Sequence, residues 1–180
     1  VLNNSIDNLH YFPEDDYNGP DVLQIRLNDM GNVGDEELED IKNINININP
    51  VNDSPLITSA GVFSAFEDSL FHIDNISIED VDIDEGDGNL QLTLDCPDCK
   101  ISLQLPIDGI NFISGNGFEN NLMVFSGNLT DVNNTISNLD IIGNQDFCGF
   151  ANLQIIASDL GNYSTDAIEE THTINISIDV

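Results

Sequence analysis

The sequence predicts an all-β protein made of antiparallel β-sandwich repeats in tandem, and three observations predict it. Short runs alternate apolar and polar residues, as in Ile44 to Ile48, Leu90-Gln91-Leu92-Thr93-Leu94 and Ile101-Ser102-Leu103-Gln104-Leu105. That period of two marks a strand with one buried face. Turn residues (Asn, Asp, Gly and Pro) separate the runs, and no long segment carries a 3.6-residue period. Finally, the chain repeats itself. Shifted by about 130 residues, its start falls on its end with roughly 18 identities over about 50 ungapped positions. Many short strands with turns between them make a sandwich.

The elements follow in order. Leu2 to Leu9 reads as a turn or a single helical turn, and Tyr17 to Asp21 as a turn with Asn-Gly and Pro. Val22 to Leu27 is a strand ended by Asp29-Met30-Gly31-Asn32, and an acidic loop leads to the strand Ile44 to Ile48. Asn49-Pro50-Val51-Asn52-Asp53-Ser54-Pro55 then forms a stiff connector, because proline donates nothing to a ladder and holds its predecessor extended. Beyond it, Leu56-Ile57, Val62 to Phe66, Leu70 to Ile73 and Ile76 to Ile78 read as strands. The most acidic loop, Glu79 to Asn89, comes next. The two runs around Cys96-Pro97-Asp98-Cys99 read as a hairpin with the cysteines in its turn. Phe112 to Phe118 carries Gly-Asn-Gly turn chemistry, and Leu122 to Phe125 is an apolar strand. Asn128 to Leu139 repeats the capped turn of the start, and Leu153 to Ala157 and Thr173 to Ile178 are the last strands.

The repeat sets the domains. Asn3-Asn4-Ser5-Ile6 falls on Asn133-Asn134-Thr135-Ile136, Leu23-Gln24-Ile25 on Leu153-Gln154-Ile155, and Ile44-Asn45-Ile46 on Ile174-Asn175-Ile176. Residues 1–53 are therefore expected to be the C-terminal part of one repeat and residues 54–180 a second, nearly complete one. The chain begins at Val1 and reads as a piece of a longer protein. A partial sandwich exposes core face and sheet edges, so either an upstream segment or a neighbouring copy is expected to complete residues 1–53.

Charge narrows the function. The chain carries 33 Asp and Glu against 3 Lys and Arg, a formal net charge of −30. Such a surface repels nucleic-acid phosphates and anionic membranes. It also repels itself, which favours divalent cations as partners over the plainer role of keeping the protein soluble. No apolar run is long enough to span a bilayer. Of the three cysteines, Cys96 and Cys99 have CxxC spacing but sit between strands, not at the start of a helix, and His10, His72 and His172 are too scattered for zinc. A structural disulfide is expected, either Cys96–Cys99 or one of these with Cys148.

Calcium takes six to eight oxygen ligands, which carboxylates and Asn carbonyls supply. Asp80-Val81-Asp82-Ile83-Asp84 first suggests an EF-hand loop, but Glu85 stands where Gly is required and Gln91 where a bidentate Glu is required. The plain alternative is that these acids are solvated turn formers capping strand ends.

Taken in order, Val51-Asn52-Asp53-Ser54-Pro55, Phe66-Glu67-Asp68, Asp80-Val81-Asp82 with Gly88-Asn89, Ser126 to Asn133, and Ala157-Ser158-Asp159-Leu160-Gly161-Asn162 cover nearly the whole chain. The set resembles cadherin-like tandem repeats of large surface proteins, of the kind found in bacterial adhesins and chondroitin-sulfate-proteoglycan-type repeat proteins. The resemblance implies a cadherin/Ig-like sandwich with Ca2+ between successive domains. It implies Asn52 and Asp53 as the linker ligands, Glu67 as the early glutamate, Asp80 and Asp82 as the Asp-x-Asp pair, Asn89 after its Gly and Asp159 before a late Gly. Asp29 would take the Asp159 role at the preceding joint. Pro50 stands where cadherin linkers carry an acid, and the mid-domain acidic motif with arginine is absent, so one or two ions are implied instead of three. The partners implied are neighbouring repeats of the same protein and other copies in a filament, at an extracellular or cell-surface location.

N-x-Ser/Thr sequons occur at Asn3, Asn52, Asn75, Asn128, Asn133, Asn162 and Asn175, and a secreted eukaryotic source would glycosylate some of them. Asn52 could hardly serve both as ligand and as glycan site. No nucleophile-elbow motif and no Cys-His or Ser-His-Asp set at recognisable spacing is present, so no enzyme is expected. The leading expectation is a structural or adhesive calcium-stiffened rod. The rival is a carbohydrate- or ligand-binding sandwich using Phe63, Phe112 or Phe118, and exposure of those rings separates the two.

Overall fold

The computed structural model describes residues 7–31, 34, 36–59, 62–161 and 166–180. Residues 2–6 of the expected first turn, and the sequons at Asn3 and Asn162, lie outside them. The chain forms two compact units, Val1–Val51 and Asn52–Val180. Asn52 and Asp53 group with the second unit because their hydrogen bonds go there, to Asp159 and Asp82. Among the described residues no helix is long and apolar enough to cross a membrane.

The first unit is a hairpin of β1 (Gly19–Asn28) and β2 (Glu39–Ile48), paired antiparallel from Gly19↔Ile48 to Asn28↔Glu39. Asp29 closes its loop. Its Oδ1 accepts from the amides of Gly31 at 3.0 Å and Leu38 at 2.9 Å, and its own N–H donates to the Leu38 carbonyl.

The second unit holds β3 (Leu56–Thr58), β4 (Phe63–Phe66), β5 (Phe71–Asp74), β6 (Ser77–Glu79), β7 (Asn89–Asp95), β8 (Cys99–Leu103), β9 (Ile110–Ser114), β10 (Leu122–Asn128), helix α1 (Leu129–Ile136), β11 (Asn138–Gly143), β12 (Gly149–Ser158) and β13 (Glu169–Asp179). One sheet runs β4-β13-β12-β7-β10-β9, a second β5-β11-β8, and β3 pairs with β6. All neighbours are antiparallel except β4 and β13. The alternation read from the sequence places Leu90, Leu92, Leu94, Met123, Phe125, Leu153, Ile155, Ile174 and Ile176 of the large sheet in one core with Ile73, Ile101, Leu139 and Ile141 of the smaller one. Full burial of such a side chain contributes about 1.5–3 kcal/mol, an upper bound where the unfolded chain is itself compact.

Three elements differ from expectation. β7 and β8 do not form a hairpin: β7 pairs with β10 and β12, whereas β8 pairs with β11. The Cys96–Cys99 turn is a crossover between sheets, closed by a disulfide, with both cysteines buried and Cys148 left as an exposed free thiol. Asn121 holds this turn. Its Nδ2 donates to the Cys96 carbonyl at 3.1 Å, and its Oδ1 accepts from Lys100 Nζ. β9 occupies the front of the segment read as turn chemistry, and β11 emerges where only the capped turn was expected. Both depend on neighbours remote in sequence: β9 on β10, and β11 on β5 and β8.

The internal repeat is structural as well. β12 and β13 pair from Gly149↔Ile178 to Ser158↔Glu169, each pair 130 residues on from its counterpart in β1 and β2. Left-handed backbone recurs at Asp16 and Asp146 and at Met30 and Leu160.

Candidate cation site

Two loops and the entry segment of the second unit build the site. After β6 the chain turns at Asp80, whose Oδ1 accepts from the Asp82 amide at 2.9 Å. A short 3-10 turn, Ile83–Glu85, follows, with Ile83 buried in the core as its anchor. This leaves Asp82 only 4% exposed. Its Oδ2 accepts from the Asp53 amide at 2.6 Å. Asp159 directly follows β12 and is 1% exposed. Its Oδ1 accepts from the amides of Gly161 and Ile168, both at 2.8 Å, and its Oδ2 accepts from Asn52 Nδ2.

The electrostatics are one-sided. Burial pushes the Asp80 carboxyl above its ordinary range, against the lowering effect of the Asp82 amide, and the charges of Asp159, Asp82 and Asp53 push it further up. The Oδ2 of Asp80 and the Oδ1 of Asn52 are buried without a hydrogen-bond partner. The basic side chains are engaged elsewhere: Arg26 with Glu39, Lys42 with Asp40, and Lys100 with Asn121. Carboxylate and amide oxygens in this number suit a hard, oxygen-seeking cation. Among the described residues, however, no three His, Cys, Asp or Glu side chains are gathered as a metal cage. The carboxylates are turned to amide donors instead of converging on a common point.

The expected ligands therefore divide. Asn52, Asp53, Asp80, Asp82 and Asp159 come together, Asp53 through its main chain with its side chain exposed. Asn89 begins β7 at the same end of the sheet, but its amide and side chain both bond to Asp87. Glu67 does not join them. Its N–H donates to the Asp179 carbonyl at 2.8 Å, and β4 runs parallel to β13 with Phe66 opposite Asp179. β13 spans 11 residues from its start on the Asp159 side, so Glu67 lies about 33 Å away along the sheet. Asp87 was missed by the sequence reading. With Gly86, Asp159, Leu160 and Gly161 it lines an open hollow of about 390 Å³ beside the site. The Gly-Asp-Gly run at 86–88, ahead of Asn89, was its signal.

Asp29 repeats the Asp159 loop geometry in the first unit, where the Leu38 and Gly31 amides hold its carboxyl below the ordinary range. Among the sequons, Asn75 and Asn175 are exposed. Asn128 caps α1, with its Nδ2 on Asp131. Asn133 is committed to β6: its Nδ2 donates to the Ile78 carbonyl and its Oδ1 accepts from the Ile78 amide, both at 2.8 Å. A sugar on Asn133 would break that pairing. Among the described residues Phe12, Phe66 and Phe150 are the most exposed rings, at 84%, 66% and 74%. Of the three rings named from the sequence, Phe63 packs against the core, Phe112 meets buried Phe125 edge-on at 5.8 Å while staying 36% exposed, and Phe118 is 65% exposed.

No protein-family model matches the sequence, and no curated protein matches it. Among solved structures, AggA, the major subunit of aggregative adherence fimbriae type I from Escherichia coli, is similar at 11% identity over 71% of this chain and 97% of that one, with a TM-score of 0.41. A likeness that slight does not bear on function.

Proposed function

We propose that the chain is a structural segment of an extracellular tandem-repeat protein. In this reading Ca2+, held by Asn52, Asp80, Asp82 and Asp159, ties the start of a β-sandwich repeat to its own loops and stiffens the array. One observation carries the proposal: Asp82 and Asp159 are buried beside Asp80 and Asn52 oxygens that have no partner, and among the described residues no basic side chain answers their charge. Burying carboxylates without a countercharge costs several kcal/mol per ion, which their amide donors offset only in part. A divalent cation offsets that cost, and supplies positive charge at the point where Asn52 and Asp53 meet the two loops.

Three further features support the reading. The register-exact copy of the closing hairpin fits a tandem array. The Cys96–Cys99 disulfide suits an oxidising, extracellular compartment, where weak calcium sites are filled. Of the three rings named for the carbohydrate-binding alternative, Phe63 packs against the core and Phe112 lies edge-on to Phe125, which leaves Phe118 as the most exposed of them. In this reading the chain is not an enzyme. Its partners are neighbouring repeats and further copies in a filament.

Calorimetric titration and thermal melting in calcium, with magnesium and matched sodium chloride as controls, test the proposal. At calcium a hundredfold above its Kd the second unit gains about 2.7 kcal/mol, which raises its Tm by several degrees. Equal responses to calcium and to matched ionic strength would reduce the site to ordinary charge screening.

A further inference from the structure

The first unit carries a face patterned like a protein core, and among its own described residues no further strand covers it. In the second unit Leu153, Ile155 and Ala157 of β12 and Ile174, Ile176 and Ile178 of β13 are all buried. Their counterparts 130 residues earlier are Leu23, Ile25, Leu27, Ile44, Ile46 and Ile48. The shared register places these six on one side of β1 and β2. Yet Ile25 is 36% exposed, Leu27 53% and Ile44 47%, and the other three are only half-buried.

The segment before the hairpin shows the same deficit. Leu139 and Ile141 are buried because β11 lies between β5 and β8. Their counterparts, Leu9 and Tyr11, are exposed, and residues 8–13 form no strand. The second unit also shows what covers such a surface. β7 pairs along the open edge of β12, β4 along that of β13, and β5-β11-β8 closes the apolar side. Among the described residues β1 and β2 pair only with each other.

We infer that residues 8–48 are the closing part of a second β-sandwich, covered by strands of the β3–β10 kind that reach it from the N-terminal side of the same polypeptide. The inference extends the tandem-repeat reading but needs no cation. An in-line source fits best, because in the second unit the covering strands precede the hairpin and enter it through α1 and β11. A second copy of this chain has no vacant strands to offer, since its own β12 and β13 already fill that place. Pairing two bare hairpins would bring together two chains of charge −30. The occupant's chemistry can also be read. Leu27 stands where Ala157 faces Leu92, so the covering β7-type strand carries a smaller residue there. Asp21 replaces Ala151 and accepts from Tyr11 Oη at 2.5 Å, so that corner is polar.

The test places a copy of residues 54–130 ahead of residue 1 of the full chain, which preserves the 130-residue offset, and follows amide exchange in EDTA. In the extended chain the amides of β1 and β2 are expected to exchange at least about 100-fold more slowly than in the original, with β12 and β13 unchanged. Ile46→Asp should return them to the original rate. Because Leu27 would overpack against the added Leu92, the same measurement is made with Asp21→Ala and Leu27→Ala together. No slowing in either version overturns the inference. So does a 180-residue chain that already protects these amides as a dimer in sedimentation, because a second copy would then be the cover. Since EDTA is present throughout, failure here is separate from failure of the calcium reading.

Discussion

Asp82 and Asp159 are buried for different local reasons. Asp159 is drawn in by the two amides of its own hairpin loop, and Asp82 is carried in by the Ile83 anchor behind it. Asp82→Asn should leave the Tm in EDTA no lower than that of the parent, since it removes a buried charge, and should abolish the calcium-dependent rise. Melting with and without calcium reads both. A lower Tm in EDTA with the calcium rise intact would remove Asp82 from the site. At the exposed counterpart, Asp29, pH is the lever. Its carboxyl is held below the ordinary range by the Leu38 and Gly31 amides, so its stabilising contribution is full above the unfolded carboxylate range. That contribution is lost as pH falls through the lowered folded value. Protection of the Gly31 and Leu38 amides, measured against the intrinsic exchange rate at each pH, should therefore fall on acidification, and Asp29→Asn should flatten the dependence.

Among the elements, α1 is short and local at its start, where Asn128 caps the Asp131 amide at 2.9 Å. It is tertiary along its length. Asn133, one turn in, completes the hydrogen bonding of Ile78 on β6 as a neighbouring strand would. Asn133→Ala strands both backbone groups and should cost about 1–3 kcal/mol in urea unfolding, more than the roughly 1 kcal/mol expected of Asn128→Ala. Equal losses would mean that water satisfies Ile78. The strands divide in the same way. β7, β12 and β13 were legible because their own alternation marks the buried face. β9 and β11 were not, because each becomes a strand only beside partners far along the chain. The alternation on either side of Cys96 and Cys99 was correct, but pairing them as a hairpin was not. Period two says which face is buried, not which strand lies alongside.

Across the whole molecule, two units of unequal size share one charge. An isolated two-stranded ribbon is marginal in water, whereas the second unit has a continuous core. Thermal unfolding should therefore be biphasic by amide exchange, with β1 and β2 opening well before β12 and β13. A single cooperative transition would contradict that order of opening. At a net charge of −30, sodium chloride should raise the Tm by screening self-repulsion, and calcium should add a further increment at fixed ionic strength.

The sequence by itself determined the fold class, the 130-residue repeat and the excess of acid, because periodicity, self-similarity and composition are properties of the chain alone. Through the cadherin-like resemblance it also grouped Asn52, Asp53, Glu67, Asp80, Asp82, Asn89 and Asp159 as one ligand set. Only the tertiary structure decided that Glu67 stands at the opposite end of the sheet, that Asp87 stands beside Asp159, and that Cys96 bonds to Cys99. Strand direction and sheet order place a residue at one end of a sandwich or the other, and both are set by pairing between segments distant in sequence.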